Sequence, residues 1–314
     1  MDRNHDTHHE TMNDTLTLRA YAKVNLALSV GSVDLQTGLH PICSLMHAID
    51  LFDDIELRKL PESQADSQES TYSIGWARDG ECDEPVEWSI EHDLAVRAHK
   101  TMQIAVGRAL PVEIRVSKSI PAGGGLGGGS ADAAVVLMGV NTLFDLGLSH
   151  TQLVNLASTL GSDIPFFIDL QDREHLIPRP AIVEGVGDQI TRLSRSHAGL
   201  PVALIVPAYG CHTGQVYNAF DGLDESLQII QPDRVHELAR QTQIEGDALF
   251  NQLEPAARVV SAELGVLQDQ VSETINQRVN VSGSGSTLFV LGEIDLELIR
   301  GTCPRCRVIQ THLI

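Results

Sequence analysis

The chain has 314 residues, 42% of them hydrophobic, and carries a formal net charge of −20 at pH 7. This acidic balance disfavours nucleic acids and anionic membranes as partners, because their phosphates attract basic surfaces. A small phosphate-bearing ligand stays compatible with it, because backbone N–H groups can bind an anion locally. No run of about 18 uncharged apolar residues predicts a membrane span, and the length predicts about two domains.

The first 14 residues form a polar, acidic segment. It lacks the apolar core of a secretory signal and has too much acid for a transit peptide, so we expect a disordered tail and a cytoplasmic chain. Its histidines, which could bind stray metal ions, are His5, His8 and His9. A change of composition within 170–200 then separates two α+β domains, predicted at 15–172 and 173–314.

From Leu16 to Val30, every second residue is small or apolar, and most residues between them are polar. This period of two predicts a bulged strand with one buried face, and it places Lys23 and Asn25 on the other face beside Tyr21. The segments that follow are expected to be extended at 53–58, a long solvated loop or flap with room for a short strand at 59–91, a helix at 94–105 and a strand at 112–116.

Six of the seven residues from Gly123 to Gly129 are glycine, and Pro121 precedes them. Such a loop between a strand and a helix cradles an anion, because N–H groups face inward and no side chain blocks a phosphate. We expect Ser130 to cap the helix and Asp132 to lie in its first turn. A Walker A loop is excluded because Gly129 replaces its lysine, and the proline and cap disfavour a flexible linker.

An apolar helix follows the loop and is expected to stop at Gly147. A capping box at Ser149 opens another helix, which ends at Gly161. Asp163 then lies at the tip of a turn before an apolar strand. The rest of the sequence predicts strands and turns, followed by two acidic amphipathic helices at 233–241 and 247–271. The C-terminal part is predicted to contain a strand, a turn, a strand, a helix and a strand, in that order.

The cysteines form an odd, sparse set, which indicates reduced thiols rather than disulfides. They are Cys43, Cys82, Cys211, Cys303 and Cys306. The last two form a C-x-x-C pair without a second ligand pair at zinc spacing, so no metal site is predicted. A redox or zinc role for this pair is kept as an alternative.

Several separated motifs resemble, in the same order, those of the GHMP kinase superfamily, whose members phosphorylate small molecules such as galactose, homoserine and mevalonate. They are Ala22-Lys23-Val24-Asn25-Leu26, Gly38-Leu39-His40, Pro121 to Ser130, Leu160 to Phe167, Phe250 to Glu254 and Val281 to Ser286. One motif would be weak evidence, but ordered agreement over most of the chain is not expected by chance. The set most resembles the members that phosphorylate a cytidine-diphosphate-bearing sugar alcohol in non-mevalonate isoprenoid synthesis.

The resemblance implies a two-domain α+β GHMP kinase fold, with an N-terminal domain like ribosomal S5 domain 2, a ferredoxin-like C-terminal domain and the active site between them. It implies transfer of the γ-phosphoryl group of ATP, with Mg²⁺, to the 2-hydroxyl of the substrate. Lys23 and Asp163 would be the catalytic pair, since a carboxylate can take the hydroxyl proton and an ammonium can hold that carboxylate ionised.

The resemblance also assigns the binding residues. Those implied for the nucleotide are Lys118, Pro121, Gly123, Gly124, Gly125, Leu126, Gly127, Gly128, Gly129 and Ser130. Those implied for the substrate are Asn25, His40 on the cytosine ring and Tyr217 stacked against that ring. Plainer alternatives are a solvated strand lysine for Lys118, a core aromatic for Tyr217 and a turn cap for Asp163.

Four positions depart from the family pattern and bear on ligand affinity more than on the catalytic pair: Leu39, Asp93, Ala131 and Gln252. Two other functions are considered, another kinase of homoserine or mevalonate type and a non-catalytic nucleotide-binding relative. We expect a small-molecule substrate that carries cytidine diphosphate, no nucleic-acid or membrane partner, and a monomer or weak homodimer.

Overall fold

The computed structural model describes residues 14–61, 69–78, 81–172, 174–194 and 197–314. The tail predicted at 1–14 falls outside these ranges except for its last residue. Within them, an eight-stranded sheet and a four-stranded sheet pack with helices, an α+β architecture as the sequence predicts. None of the helices in the described ranges is long and apolar enough to cross a membrane.

A long antiparallel hairpin lies at the centre of the first sheet. Its strands are β1 (Thr15–Val30) and β2 (Ile42–Lys59). The register shifts between Tyr21 and Lys23 and again between Asn25 and Ala27, so the predicted bulging is present. The prediction of one buried face is wrong from Ala20 onward, because apolar clusters cover both sides of the strand there.

The segment predicted as a loop at 59–91 contains two strands of the first sheet. These are β3 (Thr71–Arg78) and β4 (Glu81–Pro85), and β3 pairs in parallel with β5 (Val112–Lys118). Tyr72, Ile74 and Trp76 alternate as a strand requires, but acidic and polar residues surround this short signal. The prediction of a loop with room for a short strand therefore understates the strand content where the structure describes the segment.

Helices cover one face of this sheet. They are α1 (Leu94–Val106), α2 (Gly128–Leu143), α3 (His150–Leu160) and α4 (Ile164–Phe167). Helix α2 packs against β1 and is buried at nearly every position after its first turn, which explains its continuous apolar sequence. The predicted capping box at Ser149 is confirmed, with both of its hydrogen bonds to Gln152 present.

Two details around the glycine loop and Asp163 differ from prediction. Helix α2 starts within the glycine run, with Gly127 as its N-cap, so Ser130 lies in its first turn rather than at the cap. Asp132 is fully buried beyond that turn. The residues after Asp163 form the short helix α4 rather than a strand, because proline is favoured in a first helical turn.

The rest of the chain contributes to both sheets. Strands β6 (Ala181–Gly185) and β7 (Gln189–Arg192) extend the first sheet through β2. The predicted boundary at 172 and 173 therefore lies before the last strands of that sheet. The second sheet is antiparallel, in the order β10 (Asn280–Val281), β11 (Leu288–Leu291), β8 (Pro201–Val206) and β12 (Arg307–His312).

Helices of the second half pack against both sheets. They are α5 (Thr213–Asp221), α6 (Pro232–Arg240), α7 (Glu254–Val260), α8 (Ala262–Ile275) and α9 (Leu296–Thr302). The single helix predicted at 247–271 is wrong. A two-residue strand, β9 (Phe250–Asn251), pairs there with β1, and Ser261 separates α7 from α8 by capping the second helix. One apolar cluster joins residues of β1 and β2 with residues of β8 and β11.

Candidate active site

The glycine loop is fixed from behind by hydrogen bonds to its carbonyl groups. Gly124 accepts from the Thr287 amide at 3.2 Å, Gly125 from the Ser282 hydroxyl at 3.0 Å, and Leu126 from the Lys23 amide at 2.9 Å. In a trans peptide the N–H points opposite to the C=O, so the amides of these peptides face the other side. That side is a cavity of about 450 Å³ lined by residues 120–130.

Close packing explains why the loop needs glycine. Gly125 has a φ of +76°, and a Cβ there would lie 2.1 Å from the Ser282 carbonyl oxygen. Gly127 has a φ of +74°, and its Cβ would meet the Phe167 ring at 2.9 Å. The loop therefore fits tightly between α4 and the turn that joins β10 to β11.

Lys23 and Asp163, predicted from separate motifs, lie together at this cavity. The Lys23 ammonium is 3.3 Å from the Asp163 carboxylate, which lines the cavity and is one-third exposed. Lys23 itself is buried where β1 bulges, and it donates to Asn25 Oδ1 at 2.7 Å. The Asp163 carboxylate therefore faces the cavity, and the positively charged Lys23 ammonium lies behind it.

Asn25 lies behind Lys23. Its carbonyl oxygen accepts from Lys23, and its amide donates to Ser44 Oγ at 2.9 Å. Ser44 in turn donates to the Ala27 carbonyl at 2.7 Å. The side chain is 3% exposed, so this geometry suits a residue that orients Lys23.

Lys118 is a buried residue that lines the first cavity, not a solvated strand lysine, so that alternative is wrong. Its ammonium donates to Asp53 and, at 2.5 Å, to Asp132. Burial alone would lower the pKa of Lys118, but the charges of Asp132 and Asp53 more than offset it and the pKa is raised. Burial is the largest influence on Asp132 and raises its pKa. The charge of Lys118 acts in the opposite direction and that of Asp53 in the same direction, and the net pKa is raised.

Asp53 also anchors the chain that leads into the loop. Its Oδ1 accepts from the backbone amides of Ser119 and Ile120. The sequence analysis missed Asp53 and misplaced Asp132. An acidic residue on a strand, like Asp53, or near the start of a helix, like Asp132, is usually exposed to solvent. No local signal in the sequence shows that they share a lysine.

A second cavity, of about 520 Å³, lies next to the first and brings His40 and Tyr217 together. Their ring centroids are 4.9 Å apart. His40 Nδ1 is 2.9 Å from the Gly31 carbonyl, and Nε2 is 3.5 Å from Asp221. Tyr217 lines this cavity, so it is more than a core aromatic. Burial, with a smaller contribution from the charge of Asp163, raises its pKa.

Helix α5 forms a wall shared by the two cavities. Thr213, in its first turn, lines the first cavity, and Tyr217 and Asp221 line the second. Sequence reasoning missed Thr213 and Asp221, and nothing in their local pattern distinguishes them from ordinary helix residues. Asp163 lines the first cavity and its neighbour Ser162 lines the second, so the Lys23–Asp163 pair lies close to where the two cavities meet.

The departures from the family pattern have structural explanations. Asp93 caps α1 and also accepts from the Trp88 indole at 2.8 Å. Ala131 is fully buried in α2. Gln252 accepts from Ser29 and Val30 and donates to two carbonyls of the segment before α6. Leu39 is half exposed at the rim of the second cavity.

Known proteins resemble this chain over almost its whole length. Residues 93–169 match the family described as GHMP kinases N terminal domain. A 4-diphosphocytidyl-2-C-methyl-D-erythritol kinase from Citrifermentans bemidjiense is 33% identical over 281 residues, covering 88% of this chain and 90% of that protein. A protein of the same name from Pelotomaculum thermopropionicum is 32% identical and covers 95% of this chain and 96% of its own length.

Solved structures agree with this pattern. A crystal structure of 4-(cytidine 5'-diphospho)-2C-methyl-D-erythritol kinase superposes with a TM-score of 0.70 at 27% identity, covering 95% of this chain and 99% of that one. Homoserine kinase from Cytophaga hutchinsonii superposes with a TM-score of 0.67 at 17% identity, covering 97% of this chain and 96% of its own. At 17% identity, the similarity to homoserine kinase shows a shared fold alone.

Proposed function

Because the chain belongs to the 4-diphosphocytidyl-2-C-methyl-D-erythritol kinases, a family of GHMP kinases, we propose that it transfers the γ-phosphoryl group of ATP to the 2-hydroxyl of 4-diphosphocytidyl-2-C-methyl-D-erythritol. The products are the 2-phosphate and ADP, in non-mevalonate isoprenoid synthesis. The observation that carries the proposal is the Lys23–Asp163 pair, which lies at the cavity lined by the glycine loop, beside the His40–Tyr217 cavity.

Asp163 acts as the base. Its carboxylate accepts the proton of the substrate hydroxyl as the hydroxyl oxygen forms a bond to the γ-phosphorus. The bond between that phosphorus and the oxygen bridging to the β-phosphate breaks, and ADP leaves. Lys23 orients Asp163, because its ammonium is 3.3 Å away and is itself held by Asn25.

The glycine loop binds the phosphates of ATP. Its carbonyls bond to the protein behind it, so its amides are available to phosphate oxygens on the cavity side. Lys118 also lines this cavity, and its ammonium is held there by Asp53 and Asp132. Pro121 and Ile120 lead the chain into the cradle.

The donors at this cavity fit a magnesium ion carried by ATP. Ser130 and Asp163 both line it, and hydroxyl and carboxylate oxygens are the ligands that Mg²⁺ prefers beside phosphate and water. Magnesium bound to ATP neutralises charge on the phosphates. Ser130 and one Asp163 oxygen would hold that complex, and the other Asp163 oxygen would take the hydroxyl proton.

His40 and Tyr217 bind the cytosine end of the substrate. Tyr217 offers an aromatic face, and stacking of a base on such a face contributes about 1–3 kcal/mol. His40 is oriented by the Gly31 carbonyl at Nδ1, and a base edge would compete with Asp221, 3.5 Å away, for Nε2. We also expect the enzyme to act in the cytoplasm, as a monomer or weak homodimer.

The test is ADP release with ATP and Mg²⁺, with 4-diphosphocytidyl-2-C-methyl-D-erythritol, mevalonate and homoserine as parallel acceptors. Turnover of the cytidylyl compound alone is the expected result. Activity on mevalonate or homoserine alone would keep the kinase chemistry but reject the roles of His40 and Tyr217. No turnover with any acceptor, together with ATP binding, would favour the non-catalytic relative.

A further inference from the structure

Three side chains with different metal-binding atoms meet outside the two cavities. They are Cys43 on β2, Glu184 on β6 and His236 on α6, and their ligand atoms all lie within 4.8 Å of one another. Cys43 and Glu184 are directly paired across the two strands, so their side chains project from the same face of the sheet. None of the three is among the described residues that line either cavity.

The separations are close to those of a zinc site. In tetrahedral zinc, ligand atoms of this kind lie roughly 3.4–3.6 Å apart, given the usual bond lengths to sulfur, nitrogen and oxygen. Here Cys43 Sγ is 3.8 Å from Glu184 Oε1, and His236 Nε2 is 3.3 Å from the same oxygen. The remaining separation, between the Cys43 sulfur and a His236 ring nitrogen, is no more than 4.8 Å.

The surroundings allow an ion to enter and be held. Cys43 is buried, whereas the side chains of Glu184 and His236 are each about one-third exposed, so the site opens to solvent on one side. Helix α6 packs against both strands, and its Val235 and Leu238 lie in the same apolar cluster as Cys43. The backbone that carries the three ligands is thus already in place.

We propose that Cys43, Glu184 and His236 bind a zinc ion, with a water molecule as the fourth ligand. A thiolate, an imidazole and a carboxylate match the ligand preferences of Zn²⁺, whereas Mg²⁺ and Ca²⁺ prefer oxygen alone. On binding, the Cys43 sulfur exchanges its proton for the metal, and the proton leaves to solvent. The ion ties two strands of the first sheet to a helix from the second half of the chain.

Cobalt is the probe, because Co²⁺ occupies zinc sites and a thiolate ligand gives it a charge-transfer band in the near ultraviolet. The full chain is used with His5, His8 and His9 replaced by alanine, since those residues can bind metals themselves. We expect one Co²⁺ per chain, the thiolate band, displacement by Zn²⁺, and a rise in melting temperature with zinc. Absence of stoichiometric binding overturns the proposal.

Matched variants identify the ligands. Cys43→Ser should abolish the thiolate band, and His236→Gln should weaken zinc binding by at least tenfold. His236 is partly exposed, so its variant keeps the test valid if Cys43→Ser fails to fold. The double variant Cys303→Ser/Cys306→Ser should bind cobalt unchanged, with the same band. A band that survives Cys43→Ser and disappears in the double variant would assign the metal to the C-x-x-C pair instead.

Discussion

Asp163 and Lys23 come from motifs separated by most of the first domain, and their contact is set by individual side-chain positions. The bulge at Lys23 turns its side chain toward α4, and Asn25 keeps the ammonium in place. The motifs predict that the two residues cooperate. They do not predict that Asn25 lies behind Lys23, because that depends on the hydrogen bond to Ser44 from a different strand.

Replacing Asp163 by asparagine removes the base while keeping the size of the side chain. We expect kcat to fall by roughly 10²–10⁴-fold, because general base catalysis contributes about that much, with little change in ATP affinity. Steady-state ADP release and nucleotide binding measure the two effects. Asp233→Asn, at an exposed position on α6, should leave both unchanged. Equal turnover by the Asp163 variant and the parent would remove the residue from the mechanism.

His47 should make the folded state sensitive to acid. It is fully buried, and burial lowers its pKa from 6.5 to about 4. Above pH 6.5 the histidine is neutral in both states and has no effect. As the pH falls from 6.5 to 4, the unfolded chain takes up the proton first, so the free energy of unfolding decreases, by about 2 kcal/mol at pH 5.

Urea denaturation at pH 7 and pH 5 measures this loss. His47→Gln should reduce the difference between the two pH values by about 2 kcal/mol, since glutamine does not titrate. His212→Gln provides the comparison, because His212 is exposed. An unchanged pH dependence in His47→Gln would mean that other groups, such as the buried His99, account for the acid sensitivity.

At the scale of elements, the glycine loop depends on a turn that is distant in the sequence. The turn between β10 and β11 supplies the contacts from Ser282 and Thr287 that hold the loop carbonyls. Both segments are visible as glycine-rich motifs. The contact between them cannot be predicted from the sequence, because a loop motif does not specify which other turn packs behind it.

Gly125→Ala should disrupt this contact. The new Cβ would lie 2.1 Å from the Ser282 oxygen at a φ of +76°, so we expect a loss of about 3 kcal/mol in unfolding free energy and a loss of ATP binding. Gly123→Ala separates the two causes, because Gly123 has a φ of +68° but no atom within 4 Å of its Cβ. Gly123→Ala should lower the unfolding free energy by about 1 kcal/mol. Equal losses in the two variants would mean that backbone strain alone is responsible.

Elements with strong local signals were predicted well, and those defined by distant partners were not. The capping box at Ser149 and the alternation of β5 were sufficient to predict α3 and that strand. The short strand β9 exists because it pairs with β1, and two residues carry no periodic pattern. The strand β3 lies among acidic residues, where its alternation is too short to stand out.

The whole molecule is joined through the apolar cluster between its two sheets. Ala22, Val24 and Leu26 of β1 lie there with Val202 and Phe289 of the second sheet. The C-terminus closes the same region, because Leu313 bridges to Ile49 of the first sheet and its amide donates to Leu200. Two domains that share a core in this way should unfold together.

Leu313→Ala tests that coupling. The side chain is fully buried in the shared cluster, so its truncation should lower the unfolding free energy by about 2–5 kcal/mol. Urea denaturation followed by circular dichroism should show one transition, shifted to lower urea with an unchanged slope. Leu298→Ala, at a half-exposed position on α9, should shift it far less. If Leu313→Ala instead split the curve into two transitions, the sheets would unfold independently, and the shared cluster would be a contact between autonomous domains rather than a common core.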